Sequence, residues 1–240
     1  SRTTRFMLTE EAHHMFVGHT GLQRVIQRSC EVMKEHPGKD IRAYGAIPLE
    51  MVQKWIMRWA SSSLDLFGAE VSSNSANFFG SSLKGRAYEE SNFKEHKALD
   101  QSYTIEKVAD GRIVKEDVPL RNAMNELLRD EYYMDNVRTV EVWNRTIKKH
   151  GIDFEMKMPH KRFNRRIGMY ADFRFDPQGN PISETEFQSK KDTWLPTDDD
   201  MVFIKSLMKP VLEPGKMAGW IAAPSKGVND QPADFEYVKL

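Results

Sequence analysis

Residues 3–35 read as one unbroken helix, and the apolar stripe along it narrows the possible folds more than any other feature. Helical residues advance about 100° each. Met7, Leu8, Glu11, His14, Met15, Gly18, Leu22, Val25, Ile26, Ser29 and Met33 therefore share one face. The opposite face gathers Arg2, Thr9, Glu10, His13, Thr20, Arg24, Arg28 and Glu31. A stripe of this length calls for other helices to cover it, because a lone amphipathic helix draws little stability from propensity. "HPGKD" (His36 to Asp40) ends the run, since Pro and Gly forbid its continuation. The expected fold is mainly α, a helical bundle.

Within the stripe lies "TEEAHHMF" (Thr9 to Phe16), which interleaves two Glu-x-x-His pairs. Glu10 and His13 fall among charged neighbours and read as a solvated surface pair. Glu11 and His14 point toward the expected core. A carboxylate on an apolar stripe costs several kcal/mol to bury unless it is paired or bound to a metal. Residues three apart are neighbours on a helix surface. Helical bundles use this spacing to bring a carboxylate oxygen and an imidazole nitrogen to one iron or manganese ion. The competing reading is a buried hydrogen-bonded pair with no metal.

A dinuclear bundle site needs a second Glu-x-x-His and two more carboxylates. None of the other histidines among the seven follows a Glu by three. The second helix offers one inward acid, Glu70, which shares its face with Asn74 and Asn77. Glu70 is a candidate third ligand or a core acid. One copy of this chain does not complete such a centre.

The remaining pattern is helices with an irregular final third. A second helix is expected from Pro48 to about Lys84, with a kink possible near Gly68 or Gly80. Tyr103 to Val114 reads as a β-hairpin turning at Asp110-Gly111. A third helix follows Pro119 and closes at Gly151 after a basic last turn. "DFRFDPQGNPIS" (Asp172 to Ser183) suggests a second hairpin or a loop. Ser183 with Glu186 forms a capping box for a short helix ending before "WLP", and Thr197 to Met208 reads as another. The last thirty residues, rich in Pro and Gly, are expected to be irregular.

Thirty-five basic residues balance 35 acidic ones, so the whole chain offers no net attraction to nucleic acid or anionic membrane. Cys30 is the sole cysteine, which excludes an internal disulfide and a Cys-based zinc cluster. No apolar run approaches the roughly 20 residues of a membrane span. A reducing, cytoplasmic compartment is expected. The opening "SRTTRFMLTEE" lacks an initiator Met and enters helical periodicity at once, so further sequence upstream is expected.

Several long blocks carry a resemblance: "RTTRFMLTEEAHHMFVGHTG" (Arg2 to Gly21), "SLDLFGAEVSSNSANFF" (Ser63 to Phe79) and "SLKGR" (Ser82 to Arg86). Further on come "LRDEYYMD" (Leu128 to Asp135), "GIDFEMKMPHKRFNRRIG" (Gly151 to Gly168), "SLMKPVLEPGKMAGWIAAP" (Ser206 to Pro224) and "QPADFEYVK" (Gln231 to Lys239). With these the chain resembles, over essentially its whole length, the C-terminal half of the oxygenase components of benzoyl-coenzyme A 2,3-epoxidases. The resemblance implies a ferritin-like di-iron bundle, incomplete here because its N-terminal helices lie upstream. Residues 1–150 would be the last helices of that bundle, with a hairpin insertion near 103–114, and residues 151–240 an irregular extension packing on it. Glu11 and His14 would hold iron, and Glu70 would not. The implied reaction is epoxidation of benzoyl-coenzyme A to its 2,3-epoxide by O2, with NADPH electrons delivered by a flavin and iron–sulfur reductase.

Coenzyme A carries phosphates, and "HKRFNRR" (His160 to Arg166) is the densest basic run. Lys161, Arg162, Arg165 and Arg166 are candidate phosphate contacts, because guanidinium forks suit phosphate oxygens; a solvated basic surface is the rival. Glu70, Asn74 and Asn77 are candidates for the core or the pocket wall. Two other readings stay open: a helical binding module without catalysis, and a homodimeric metal site combining Glu11, His14 and Glu70 about a two-fold axis.

Overall fold

The computed structural model describes residues 2–71, 101–109, 111–212 and 217–224. Its elements run α1 (Arg2–Glu35), a 3-10 turn (Ile41–Tyr44), α2 (Leu49–Asp65), β1 (Ser102–Ala109), β2 (Arg112–Pro119) and a second 3-10 turn (Leu120–Asn122). There follow α3 (Met124–Lys149), β3 (Arg174–Phe175), β4 (Pro181–Ile182), α4 (Glu184–Trp194) and α5 (Asp198–Leu207). The chain is mainly helical, with two small antiparallel hairpins. No helix among the described residues is long and apolar enough to cross a membrane.

The chain forms two compact units. One comprises Ser1–Trp55, Arg138–Lys157 and Pro196–Leu240, and the other Ile56–Val137 and Met158–Leu195.

In the first unit, α1 is buried only in its second half. Val25, Ile26, Cys30 and Val32 are in the core, and Val32 clusters with Ile41 and Ala46. Each of these valine and isoleucine side chains contributes about 1.5–3 kcal/mol on burial. Ser29, also buried, satisfies its hydroxyl by donating to the Ile47 carbonyl at 2.6 Å. Asp40 caps the 3-10 turn by accepting from the Arg42 N–H at 3.0 Å, and Gly45, at φ +72°, ends it. Arg24 and Arg28 tie down the 217–222 segment. They donate to the carbonyls of Ala222 at 2.7 Å and Gly219 at 3.1 Å. From α3, the Asn144 carboxamide bonds both the N–H and the C=O of Met156 at 2.8 Å each.

The first half of α1 departs from expectation. The stripe was expected to need cover from other helices, and residues 5–18 are all exposed. Phe6, Met7, Leu8, Met15, Phe16 and Val17 are among the large apolar side chains left in solvent. Amphipathicity records that a face requires covering, and no described residue covers this one.

The second unit holds the end of α2, the β1–β2 hairpin, the start of α3 and the segment through α4. Contrary to the expected helix to Lys84, α2 stops at Asp65. Gly68 explains the stop: at φ +82° it turns the backbone left-handed and donates its N–H to the Asp65 carbonyl at 3.0 Å. Residues 72–100, including Asn74 and Asn77, lie outside the described residues. The first hairpin continues beyond Val114, pairing Ser102 with Pro119 and Ala109 with Arg112. Phe163, Phe187 and Trp194 form an aromatic cluster with ring centres 5.9–6.3 Å apart.

Both short helices begin where capping residues were read. The Ser183 hydroxyl accepts from the Glu186 N–H at 3.1 Å. Thr197 and Asp200 form a reciprocal capping box on α5, and Asp200 also receives Lys54 at 3.0 Å. Thr197→Ala should lower the urea-unfolding free energy by about 1 kcal/mol, while Thr197→Ser should be nearly neutral. Equal losses from both would show that the hydroxyl is not the stabilising group.

Candidate functional site

Glu11 and His14 sit on the exposed half of α1, their side chains 69% and 58% accessible. They converge nonetheless: His14 Nδ1 lies 3.7 Å from Glu11 Oε2. No ion pair joins Glu10 to His13 among the described residues. The expectation that Glu11 and His14 face a core is corrected: in this structure they face outward from a face left uncovered. Bonds from a first-row ion such as zinc to oxygen and nitrogen donors are about 2.0–2.2 Å. Two of them span slightly more than the observed separation, so one ion could bridge the two atoms. The donor set, one anionic oxygen and one imidazole, also suits iron. The pair therefore fits half of a metal site. Among the described residues no third metal-ligating side chain joins it.

Glu70 lies elsewhere, in the second unit, and is fully buried. It accepts from Arg129 Nη1 at 3.2 Å and from the Met169 N–H at 2.8 Å, with Arg165 Nη1 at 3.3 Å. Around it a connected set of charges is closed to solvent. Arg129 also pairs with Glu126 and donates to the carbonyls of Leu64, at 3.1 Å, and Gly68. The Leu64 carbonyl belongs to the last turn of α2, where a helix leaves acceptors unsatisfied and favours a cation. Arg165 donates to Asp65 at 2.5 Å, and the Arg166 N–H reaches the other Asp65 oxygen at 3.0 Å.

The basic run therefore divides. Lys161 bonds Glu126 and Asp130 at 2.6 Å each, and Arg165 is buried in the network. Arg162 lies over the Phe175 ring, 5.6 Å from its centre, and donates from Nε to His160 Nδ1 at 3.2 Å. Only the Arg166 side chain among the four is exposed. Burial alone would lower the Lys161 ammonium, but Glu126 and Asp130 outweigh it and hold its pKa above the ordinary value. Burial, with Arg162 nearby, pushes His160 down to about 4, so it is a neutral acceptor. Tyr103, donating to Asp130 at 2.7 Å, is raised by burial and by that carboxylate.

Arg129, Glu126, Asp65 and Asp130 were missed as members of this network. Glu126 and Arg129 carried a signal, an opposite-charge pair three apart beside Met124, Leu127 and Leu128. Removing one partner from such a buried set typically costs about 3–5 kcal/mol, since the other charge is left unpaired. Gly168 is required for its geometry. At φ +86°, a Cβ there would lie 2.1 Å from Glu70 Oε2. Gly168→Ala should thus cost at least about 1–3 kcal/mol from backbone strain alone, read by urea unfolding. An unchanged midpoint would show that this loop is not held against Glu70.

No protein-family model matches the chain. Against characterised proteins it is 48% identical over 244 aligned positions to benzoyl-CoA oxygenase component B of Aromatoleum evansii. The alignment takes in 100% of this chain and 51% of that protein, so the chain spans about half the length of the relative it matches. From end to end this chain is a homologue of benzoyl-CoA oxygenase component B, corresponding to about half of it.

Proposed function

We propose that this chain carries one Glu-x-x-His half of the iron site of a di-iron monooxygenase component that epoxidises benzoyl-CoA to 2,3-epoxy-2,3-dihydrobenzoyl-CoA. The observation that carries the reading is the end-to-end identity to benzoyl-CoA oxygenase component B, together with the convergence of Glu11 and His14 on one exposed face. On this reading residues 1–150 hold the last helices of a ferritin-like bundle, and the other ligands lie in the part of the protein upstream. The partners are benzoyl-CoA and a flavin and iron–sulfur reductase that passes on electrons from NADPH.

Iron held there would supply the redox chemistry by which one atom of O2 adds across a double bond of the benzoyl ring, while the other takes two electrons and two protons and leaves as water. Glu11 contributes an anionic oxygen donor, and His14 a neutral imidazole whose second nitrogen requires an acceptor to fix its orientation. Glu70 is a structural carboxylate on this reading, neutralising Arg129 and Arg165. Lys161 and Arg165 act by holding their loop, whereas Arg166 has its charge open for a coenzyme A phosphate and Arg162 flanks it.

The test uses a full-length component containing this sequence, assayed with its reductase, NADPH and benzoyl-CoA. Glu11→Ala and His14→Ala should each lower epoxide formation at least about 100-fold, the loss typical of disturbed metal sites, while Glu10→Ala and His13→Ala stay within a few-fold of the parent. Equal losses in both pairs would overturn the ligand assignment. Full activity in all four would show that neither pair holds the iron. A folded, Fe(II)-reconstituted component that binds none would favour a binding module without a metal, and metal bound only by dimers of the 240-residue chain would favour the homodimeric site.

A further inference from the structure

We propose that the groove between α1 and the second half of α3 binds the phosphoryl group of a small anion. The cavity holds about 340 Å³ and is lined by side chains of both helices. That volume falls in the range of small-molecule sites, roughly 300–1,000 Å³.

Arg145 and Lys149 stand one turn apart on α3, both at the groove and both exposed. Like charges at this spacing destabilise a helix. No carboxylate lines the groove, and neither cation has an ion pair among the described residues. Glu141 stands one turn before Arg145 without an ion pair to it, and Glu31 is engaged by Gln27 at 2.8 Å and by Arg28 at 3.6 Å. The two positive charges therefore meet the cavity with no ion-pair partner among the described residues. A guanidinium fork and an ammonium are the groups that suit phosphate oxygens.

The remaining lining adds neutral donors in fixed positions. Gln23 Nε2 donates to Thr146 Oγ1 at 3.2 Å, joining the two walls and leaving the threonine O–H to donate elsewhere. His150 donates from Nδ1 to the Thr146 carbonyl at 2.8 Å, which fixes its ring at the end of the groove. Gln23 is twelve residues beyond Glu11, about 18 Å along the helix axis, and on another face. This site is separate from the Glu11–His14 pair, and the proposal stands or falls without the di-iron reading.

The experiment is calorimetric titration of the full chain carrying Arg166→Gln, which removes the phosphate contact proposed above, with two probes, inorganic phosphate and coenzyme A, at low and high ionic strength. Both should bind, more weakly as salt rises. The double variant Arg145→Gln/Lys149→Gln should lose at least tenfold in affinity for either probe, and Lys39→Gln, remote from the groove, should lose none. Thermal melting confirms that the variants fold, which the exposure of both side chains leads us to expect. Coenzyme A binding much tighter than phosphate, with both lost in the double variant, identifies a phosphorylated cofactor as the source. Equal affinities, both lost, identify a free anion. No binding of either probe, or binding that the double variant retains, overturns the proposal.

Discussion

Two arginines and two glutamates that see almost no solvent set the terms for the second unit. Arg129 and Arg165 are buried beside Glu70 and Glu126, and stripping water from such ions is costly unless each finds a partner of good geometry. Here every one does. Arg129 additionally takes up the Leu64 carbonyl in the last turn of α2 and the Gly68 carbonyl just beyond it, so the same cation satisfies part of the helix terminus. Arg165 and the Arg166 N–H grip Asp65 from the following loop, and Met169 donates to Glu70. The tight turn at Gly168 follows, because only a residue lacking Cβ leaves room for that carboxylate. A chain of charges thus fixes a loop on the end of a helix, work that apolar packing performs in the first unit.

The first unit presents the opposite situation along α1. Its second half is covered by the 3-10 turn, by α3 and by the strap at 217–222. Its first half presents Phe6, Leu8, Met15 and Phe16 to solvent, and on that half stand Glu11 and His14. Exposed apolar patches of this kind mark surfaces that associate with something. On the proposed reading the remaining helices of a bundle occupy that face. Covering would change the chemistry of the pair: a carboxylate and an imidazole excluded from water gain far more from a shared cation than the same groups do in solvent.

How much was legible depends on whether the determining contacts were local. The bounds of α1 followed from periodicity and from Pro37-Gly38, and the starts of α4 and α5 from Ser183 and Thr197, since capping is decided within four residues. Gly151 closed α3 for the same reason, at φ +71°. The network around Glu70 was out of reach, because Asp65 and Arg165 are 100 residues apart and neither looks unusual by itself. The basic run misled for a related reason: a dense row of cations reads as surface until the carboxylates that claim Lys161 and Arg165 are seen. The end of α2 was misplaced because Gly68 was read as a kink within a helix, whereas its positive φ makes it a terminator. Periodicity found the face of α1 that seeks a partner, and resemblance supplied the identity that periodicity lacked.

Metal content tests the central assignment without reference to turnover. A full-length component reconstituted anaerobically with Fe(II) should retain about two irons per chain, as a dinuclear bundle site requires. His14→Ala should lose most of that iron while remaining folded, and His13→Ala should keep it. A folded His14→Ala protein with the parent's full iron content would contradict the account.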